Sequence, residues 1–531
     1  MLYWNRHENN AHSYRDAYAG TTVFGMIGSG KSSGVGAHLA RSMMLPRQLP
    51  NGEVEKIGGL VLTVAPGEAD EWRTYGFQTG RKVTVVDEWS GHHFNPFQWY
   101  DSRSGDKGAD VLNLVSMFML LTRLGGRFLG ASGDSGDAFW RLALAELLSN
   151  AMELLKLTGQ SPSILGISSL VRQIPREYLY DTFPKLRDAI QKIEYRLEAA
   201  ENGATTRAAE IQKLVQEEFI TEDEAVYLTN DIVVLLAQVA ENVMLTEAQR
   251  RTYEVVRDYF LSDMAALAEN TRSSIVQMWS TYSRPLRSGL AAEFLSTTTS
   301  TAIIPECTLD EGEIIVLSFP TLKYGVAGLF IQSAYLSCWM AAVQERRGSD
   351  GNPVFLWIDE CQQFVSKETT AFQAICRKSR CASIYLTQTV SGLRQALGGV
   401  EAAETFLGTT NTKIFCSSNS AATIRYAVET IGKASTLDSR GGVSEDGDEL
   451  SEKLVDQITP QHIIRQRTGG PLQGDYTLEQ RKKWDNTVQA IVTRGGRPFT
   501  SKNGLLKNFT QTSIGQQSED YRMPQDESFR P

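Results

Sequence analysis

The chain is poor in the residues that build metal and disulfide frameworks. Its 531 residues include six cysteines and six histidines. Cys307, Cys338, Cys361, Cys376, Cys381 and Cys416 form no CxxC pair and have no histidine nearby. That spacing argues against a zinc site and a disulfide scaffold, and buried reduced thiols are the expectation. His92 and His93 are adjacent, so their rings would point apart in an extended segment, and no carboxylate cluster accompanies them. Positive charge is not in excess either. At a net charge of -9 the surface as a whole does not attract nucleic acid, and any such contact must be local. Between residues 461 and 510, nine Lys/Arg stand against three Asp/Glu, a cluster that fits a solvated face as well as a binding patch. The N-terminus lacks the apolar stretch of a secretory signal, and no internal repeat is present. One run without charge, residues 324–343, is long enough to span a bilayer. Gln332, Ser333 and Ser337 dilute it, and it lies between two strand-like runs, so a buried crossover helix is predicted and no integral membrane segment is expected.

What is present suits a large soluble enzyme. A hydrophobic fraction of 41% and a charged fraction of 22% are ordinary for globular chains, and the length calls for one large core plus an inserted or appended module. Strand signals fall at 21–24, 60–64 and 83–86, then return at 313–319, 354–358, 383–387, 412–416 and 488–492. Between them, residues 138–157, 186–201, 207–218 and 252–270 show helical periodicity. The predicted fold is α/β, a doubly wound RecA-like P-loop core interrupted by an all-α inserted domain. The expected divisions are 1–104 and 297–511 for the core, 105–296 for the insertion, and a disordered tail at 512–531.

Gly25-Met26-Ile27-Gly28-Ser29-Gly30-Lys31-Ser32 satisfies GxxxxGK[ST] and sits between a predicted strand and a predicted helix. Glycines there let backbone N–H groups wrap a β-phosphate, which side chains would obstruct. Lys31 would neutralise phosphate charge and the Ser32 hydroxyl would ligate Mg²⁺. Gly25, Gly28, Ser29, Gly30, Lys31, Ser32 and Ser33 are therefore the expected ATP-holding set. The run at 354–358 ends in Asp359-Glu360. Asp359 would share the Mg²⁺ with Ser32, and Glu360 would orient and deprotonate an attacking water. A second buried run ends in Thr387-Gln388, where the Gln388 amide would meet the γ-phosphate or that water. Arg377, in Arg377-Lys378-Ser379-Arg380, either caps a helix through its dipole or reaches a neighbouring subunit's nucleotide as an arginine finger.

Taken in order, these motifs resemble the type IV coupling proteins, the TraG/TraD-like conjugative DNA-transfer ATPases of the HerA/FtsK superfamily. The resemblance rests on the P-loop, Phe94-Asn95-Pro96, Phe139-Trp140, Asp359-Glu360, Arg377, Thr387-Gln388 and Thr412-Lys413-Ile414-Phe415, across about residues 20–435. It implies a homo-hexamer with active sites between subunits, Arg377 donated in trans, and a helical insertion that engages cargo. DNA, a relaxase or relaxosome, and secretion-channel components are the implied partners. Family members usually carry an N-terminal membrane anchor, whereas here the P-loop begins about two dozen residues from Met1. The reduced thiols fit a cytoplasmic location, which is the expectation, with peripheral docking at the inner membrane as the variant. The rival readings are a soluble HerA-like motor for DNA processing or defence, and a nucleotide-gated scaffold; the pair Glu360 and Gln388 argues against the scaffold, since a pure switch does not need both.

Overall fold

The computed structural model describes residues 2–5, 10–49, 52, 54–103, 109–128, 137–199, 206–346, 351–438, 451–471, 476–499 and 506–510; the tail expected at 512–531 lies outside them. The chain divides into two compact units, Met1–His92 with Thr301–Pro531, and His93–Ser300.

The first unit is organised by a sheet of ten strands among the described residues: β1 (Thr21–Phe24), β2 (Gly58–Thr63), β3 (Val83–Val86), β4 (Ile314–Ser318), β5 (Val354–Ile358), β6 (Cys381–Thr387), β7 (Thr412–Phe415), β8 (Thr487–Arg494), β9 (Arg497–Pro498) and β10 (Leu506–Thr510). Their order is β9-β8-β7-β1-β6-β5-β2-β4-β3, with β10 also paired to β8. The seven strands from β7 to β3 run parallel, and β8 closes the sheet antiparallel to β7. Strands covered on both faces read as continuous apolar or β-branched runs, and β1, β2, β5, β6 and β7 are buried at every residue. β6 lies between the P-loop strand β1 and the Asp359 strand β5, so RecA-like order carries an additional strand. Register then brings the carboxyl ends together: Thr387 pairs with Phe24, Phe24 with Phe415, and Tyr385 with Ile358.

Helices such as Ala37–Met44, Glu68–Thr79 and Thr321–Glu345 cover the sheet. Trp72 illustrates the packing, stacked on Phe355 at 5.9 Å and edge-on to Trp357 at 5.3 Å. Two helices among the described residues are long and apolar enough to cross a membrane, Asp110–Phe128 and Thr321–Glu345, with 61% and 78% of their apolar windows buried. Thr321–Glu345 is the crossover from β4 to β5. It breaks at Gly325 (φ 56°, ψ -138°), and Gln332, fully buried, donates to the Phe319 carbonyl at 3.0 Å.

The second unit is helical, with no strand among its described residues. Its long elements include Ala109–Phe128, Asp137–Leu157, Phe183–Ala199 and Glu269–Arg287. One expectation is corrected here. The periodic stretch 252–270 is not one helix. Glu247–Asp258 widens into a π turn at Tyr259–Asp263, ends at Met264–Ala266, and a new helix starts at Glu269. No glycine or proline marks the break. The buried Arg272 guanidinium lies 3.5 Å from the carbonyls of Met264 and Ala265, supplying donors to carbonyls that a helix end leaves unsatisfied.

Candidate active site

The P-loop leaves β1 at the carboxyl edge of the sheet and is tied at once to both neighbours: Gly25 N–H donates to the Thr387 carbonyl at 3.2 Å and Met26 N–H to the Ser417 carbonyl at 3.0 Å. Two glycines explain why the turn needs this composition. A Cβ on Gly25 would lie 2.4 Å from Ser29 Oγ. Gly30 has φ 76°, and a Cβ there would meet Val488 Cγ2 at 2.3 Å. The helix beyond opens with a wide π turn at Lys31–Gly36 before regular winding from Ala37.

Lys31 is 7% exposed. Its Nζ donates to Asp359 Oδ1 at 3.0 Å and Glu360 Oε1 at 3.2 Å, while Ser32 Oγ donates to Asp359 Oδ2 at 3.1 Å. Burial disfavours the Lys31 ammonium, but the charges of Asp359 and Glu360 outweigh it and hold its pKa above the ordinary value. Glu360 occupies the left-handed region (φ 44°, ψ 51°), a conformation a non-glycine residue keeps only when its surroundings impose it. They do so at three points. Glu360 N–H donates to Asp359 Oδ1 at 2.8 Å, Gln388 Nε2 to Glu360 Oε1 at 3.1 Å, and Gln362 Nε2 to Glu360 Oε2 at 2.6 Å. Gln362 is itself held from β6, accepting from Thr387 Oγ1 at 2.9 Å.

On the far side of Asp359, Glu68 begins the helix after β2 and accepts from Val64 and Ala65 N–H at 2.9 and 3.2 Å. Burial, reinforced by the charge of Asp359, pushes its carboxyl up to about 8. Ser32 Oγ and Asp359 Oδ2 are hard oxygen donors set side by side among crowded carboxyls, a set that fits an oxygen-seeking divalent cation. Cys361 and Cys416 are fully buried, and burial pushes the Cys416 thiol up to about 12 against the opposing charge of Lys31. Neither is a nucleophile.

Of the residues singled out by sequence, Lys31, Ser32, Asp359, Glu360 and Gln388 meet in one hydrogen-bonded cluster. Arg377 does not join it. It sits in the turn Cys376–Ser379 before the amino end of β6, exposed and without a side-chain hydrogen bond or ion pair to another described residue. Seven strand residues, roughly 23 Å at 3.3 Å per residue, separate that turn from Gln388. Gln362 and Glu68 went unnoticed in the sequence. Both follow the carboxyl end of a parallel strand, where ligands of such sheets bind, and that rule was the signal available.

Residues 353–467 match the family model described as the TraM recognition site of TraD and TraG, a segment that includes Asp359, Glu360, Arg377 and Gln388 but not the P-loop. No match to a curated protein accompanies it. In three dimensions the chain is similar to the bacterial conjugative coupling protein TrwBdeltaN70 in its unbound monoclinic form, with a TM-score of 0.54 at 13% identity over 94% of this chain and 86% of that one. The chain has the fold of a conjugative coupling protein. The plasmid coupling protein TrwB with the ATP analogue ADPNP aligns equally well, at TM-score 0.54 and 13% identity over 94% and 86% of the two chains. TrwB with ADP and Mg²⁺ gives 0.52 at 12%, with the same coverage. The coupling-protein resemblance drawn from scattered motifs thus holds in a family model over one segment and in fold over nearly the whole length, including the RecA-like core and the helical unit.

Proposed function

We propose that this chain is an ATP-hydrolysing coupling protein that moves DNA, or a relaxase–DNA conjugate, toward a type IV secretion channel from the cytoplasmic side. The observation that carries the reading is the interlocked cluster of Lys31, Ser32, Asp359, Glu360 and Gln388 at the carboxyl edge of a sheet with an additional strand between β1 and β5. TrwB structures with an ATP analogue and with ADP and Mg²⁺ support ATP as the ligand. Gly25, Gly28, Ser29, Gly30, Lys31, Ser32 and Ser33 would hold the phosphates, and Ser32 with Asp359 would hold Mg²⁺. That ion would neutralise charge developing on the β- and γ-phosphate oxygens.

The chain's own residues account for the rest. Phosphate oxygens compete for Lys31 and draw its ammonium away from Glu360. The freed carboxylate then takes a proton from a water positioned between it and the Gln388 amide, as that water attacks the γ-phosphorus and the bond to ADP breaks. Arg377 lies too far away to serve its own site, which supports a hexamer in which it reaches the phosphates of the next subunit. The match to a TraM recognition site supports a relaxosome component as partner, and the helical unit, which holds none of the proposed catalytic residues, is assigned to cargo.

The test is nucleotide binding and steady-state hydrolysis by the full-length protein, with and without single- and double-stranded DNA. Hydrolysis that DNA stimulates, together with loss of ATP binding in Lys31→Ala, is expected. Turnover indifferent to DNA and to relaxosome proteins would overturn the motor reading.

A further inference from the structure

The helix Glu68–Thr79 turns a mixed face to the sheet. Residues at i, i+3, i+4 and i+7 share one side of a helix, and here that side carries Glu68, Glu71, Trp72 and Tyr75. The aromatic pair accounts for the packing, since both rings are buried and Trp72 stacks on Phe355. The two carboxylates are half-buried and packing does not explain them. Glu71 Oε2 accepts from the Tyr75 hydroxyl at 3.3 Å. Glu68 Oε2 accepts from Val64 and Ala65 N–H at 2.9 and 3.2 Å, which fixes the turn after β2. Neither side chain has an ion-pair partner among the described residues, and Glu68 Oε1 has no hydrogen-bond partner among them. Carboxylates drawn partly out of water without a cation are costly, and holding the turn uses only one oxygen of Glu68.

Glu68 and Glu71 line a cavity of about 20 Å³ together with Thr63 and with Ser32 and Asp359, the two residues assigned to the cation. A single water needs on the order of 10–15 Å³ and two to four polar partners, so the cavity has room and partners for one. Mg²⁺ demands near-octahedral geometry and usually keeps several of its waters, so a site in which the protein offers Ser32 and Asp359 leaves coordination positions to water. Such waters donate hydrogen bonds and call for acceptors. Glu68 supplies one on the same cavity as both ion-holding side chains, and its carboxylate is already fixed by two backbone N–H groups. We propose that Glu68 is a positioning residue of the Mg²⁺ site, its Oε1 accepting a hydrogen bond from a water on the ion that Ser32 and Asp359 hold. This rests on the Mg²⁺–nucleotide reading of the site and extends that site to the helix after β2.

Mn²⁺ shares the octahedral oxygen preference of Mg²⁺, and electron paramagnetic resonance separates its bound and free forms without any turnover. The measurement is a titration of the full-length protein with Mn²⁺ at saturating ADP. Glu68→Gln keeps an acceptor for the Val64 and Ala65 N–H groups and should weaken Mn²⁺ binding roughly 10- to 100-fold, the cost of losing an outer partner at a metal site. Its ADP affinity in excess chelator should stay unchanged, a readout that a disturbed turn or helix would move. Glu71→Gln, which removes a carboxylate already committed to Tyr75, should cost less. Unchanged Mn²⁺ affinity in Glu68→Gln would overturn the proposal. So would ADP binding weakened as much in chelator as with Mn²⁺, which marks a structural role, or an equal loss in Glu71→Gln, which marks only the general charge of the helix. Retained Mn²⁺ affinity in Asp359→Asn is the separate sign that the cation reading itself fails, and the assignment of Glu68 falls with it.

Discussion

The two ends of β6 both carry polar residues and treat them differently. At the carboxyl end, Thr387 and Gln388 are drawn into a half-buried lattice with Gln362, Glu360 and Lys31. At the amino end, Arg380 is anchored to Glu55 and the Gly351 carbonyl, whereas Arg377 is exposed three residues earlier in the same short turn. An anchored arginine is part of the scaffold. Arg377 projects from its turn with no side-chain partner among the described residues. Position on the sheet, more than residue type, separates the groups that meet the chain's own P-loop from those that do not.

Arg377→Ala tests the contrast most severely. Loss of an arginine finger should slow hydrolysis on the order of 10³-fold, and mixing the inactive variant with Lys31→Ala should restore activity, since some interfaces then pair an intact P-loop with an intact arginine. Mixtures as inactive as either parent, despite proven co-assembly, would place Arg377 with the scaffold. At the opposite end, Glu360→Gln should bind ATP normally and turn over at least about 100-fold slower, within the range for a lost general base; binding lost as fully as in Lys31→Ala would remove Glu360 from the chemistry.

Gln362→Ala sharpens the same end. It releases Glu360 from its 2.6 Å hydrogen bond while leaving Gln388 in place, so kcat should fall on the order of 10-fold, less than a full misplacement of the base, with KM for ATP unchanged. A rise in KM at constant kcat would mean that Gln362 serves binding. The smallest effect belongs to the amino edge, where His12 is buried and meets Thr21 Oγ1 at 3.2 Å. Burial lowers its pKa from 6.5 to about 4, and the attraction of Asp16 does not offset it. The unfolded chain therefore takes up this proton first as pH falls through 6.5, so the contribution to stability is present above that pH and is lost toward 4. Between pH 7 and 5.5 it amounts to about 1 kcal/mol. Denaturant titrations should show His12→Gln losing less stability than the parent over that interval; parallel losses would contradict a buried neutral His12.

Much of this architecture was open to reading from one dimension. A parallel strand buried on both faces reads as a continuous apolar or β-branched run, so the strands at 21–24 and 354–358 stand where their runs predict them. The P-loop announces itself because glycine is required wherever backbone must approach a phosphate closely. Local composition therefore decided that the chain is a P-loop α/β protein with a long helical stretch between its strands, and which side chains bear reactive groups. It did not reveal that Arg272 would end a helix at Ala266, since that guanidinium comes from the following helix. Nor did it show that Gln362 would hold Glu360 or that Glu68 would crowd Asp359. Each of these joins groups that the chain path brings together only when β6 enters between β1 and β5 and β8 closes the sheet beside β7. Strand order is set by the packing of whole elements, and it decided which of the polar residues at strand ends became neighbours.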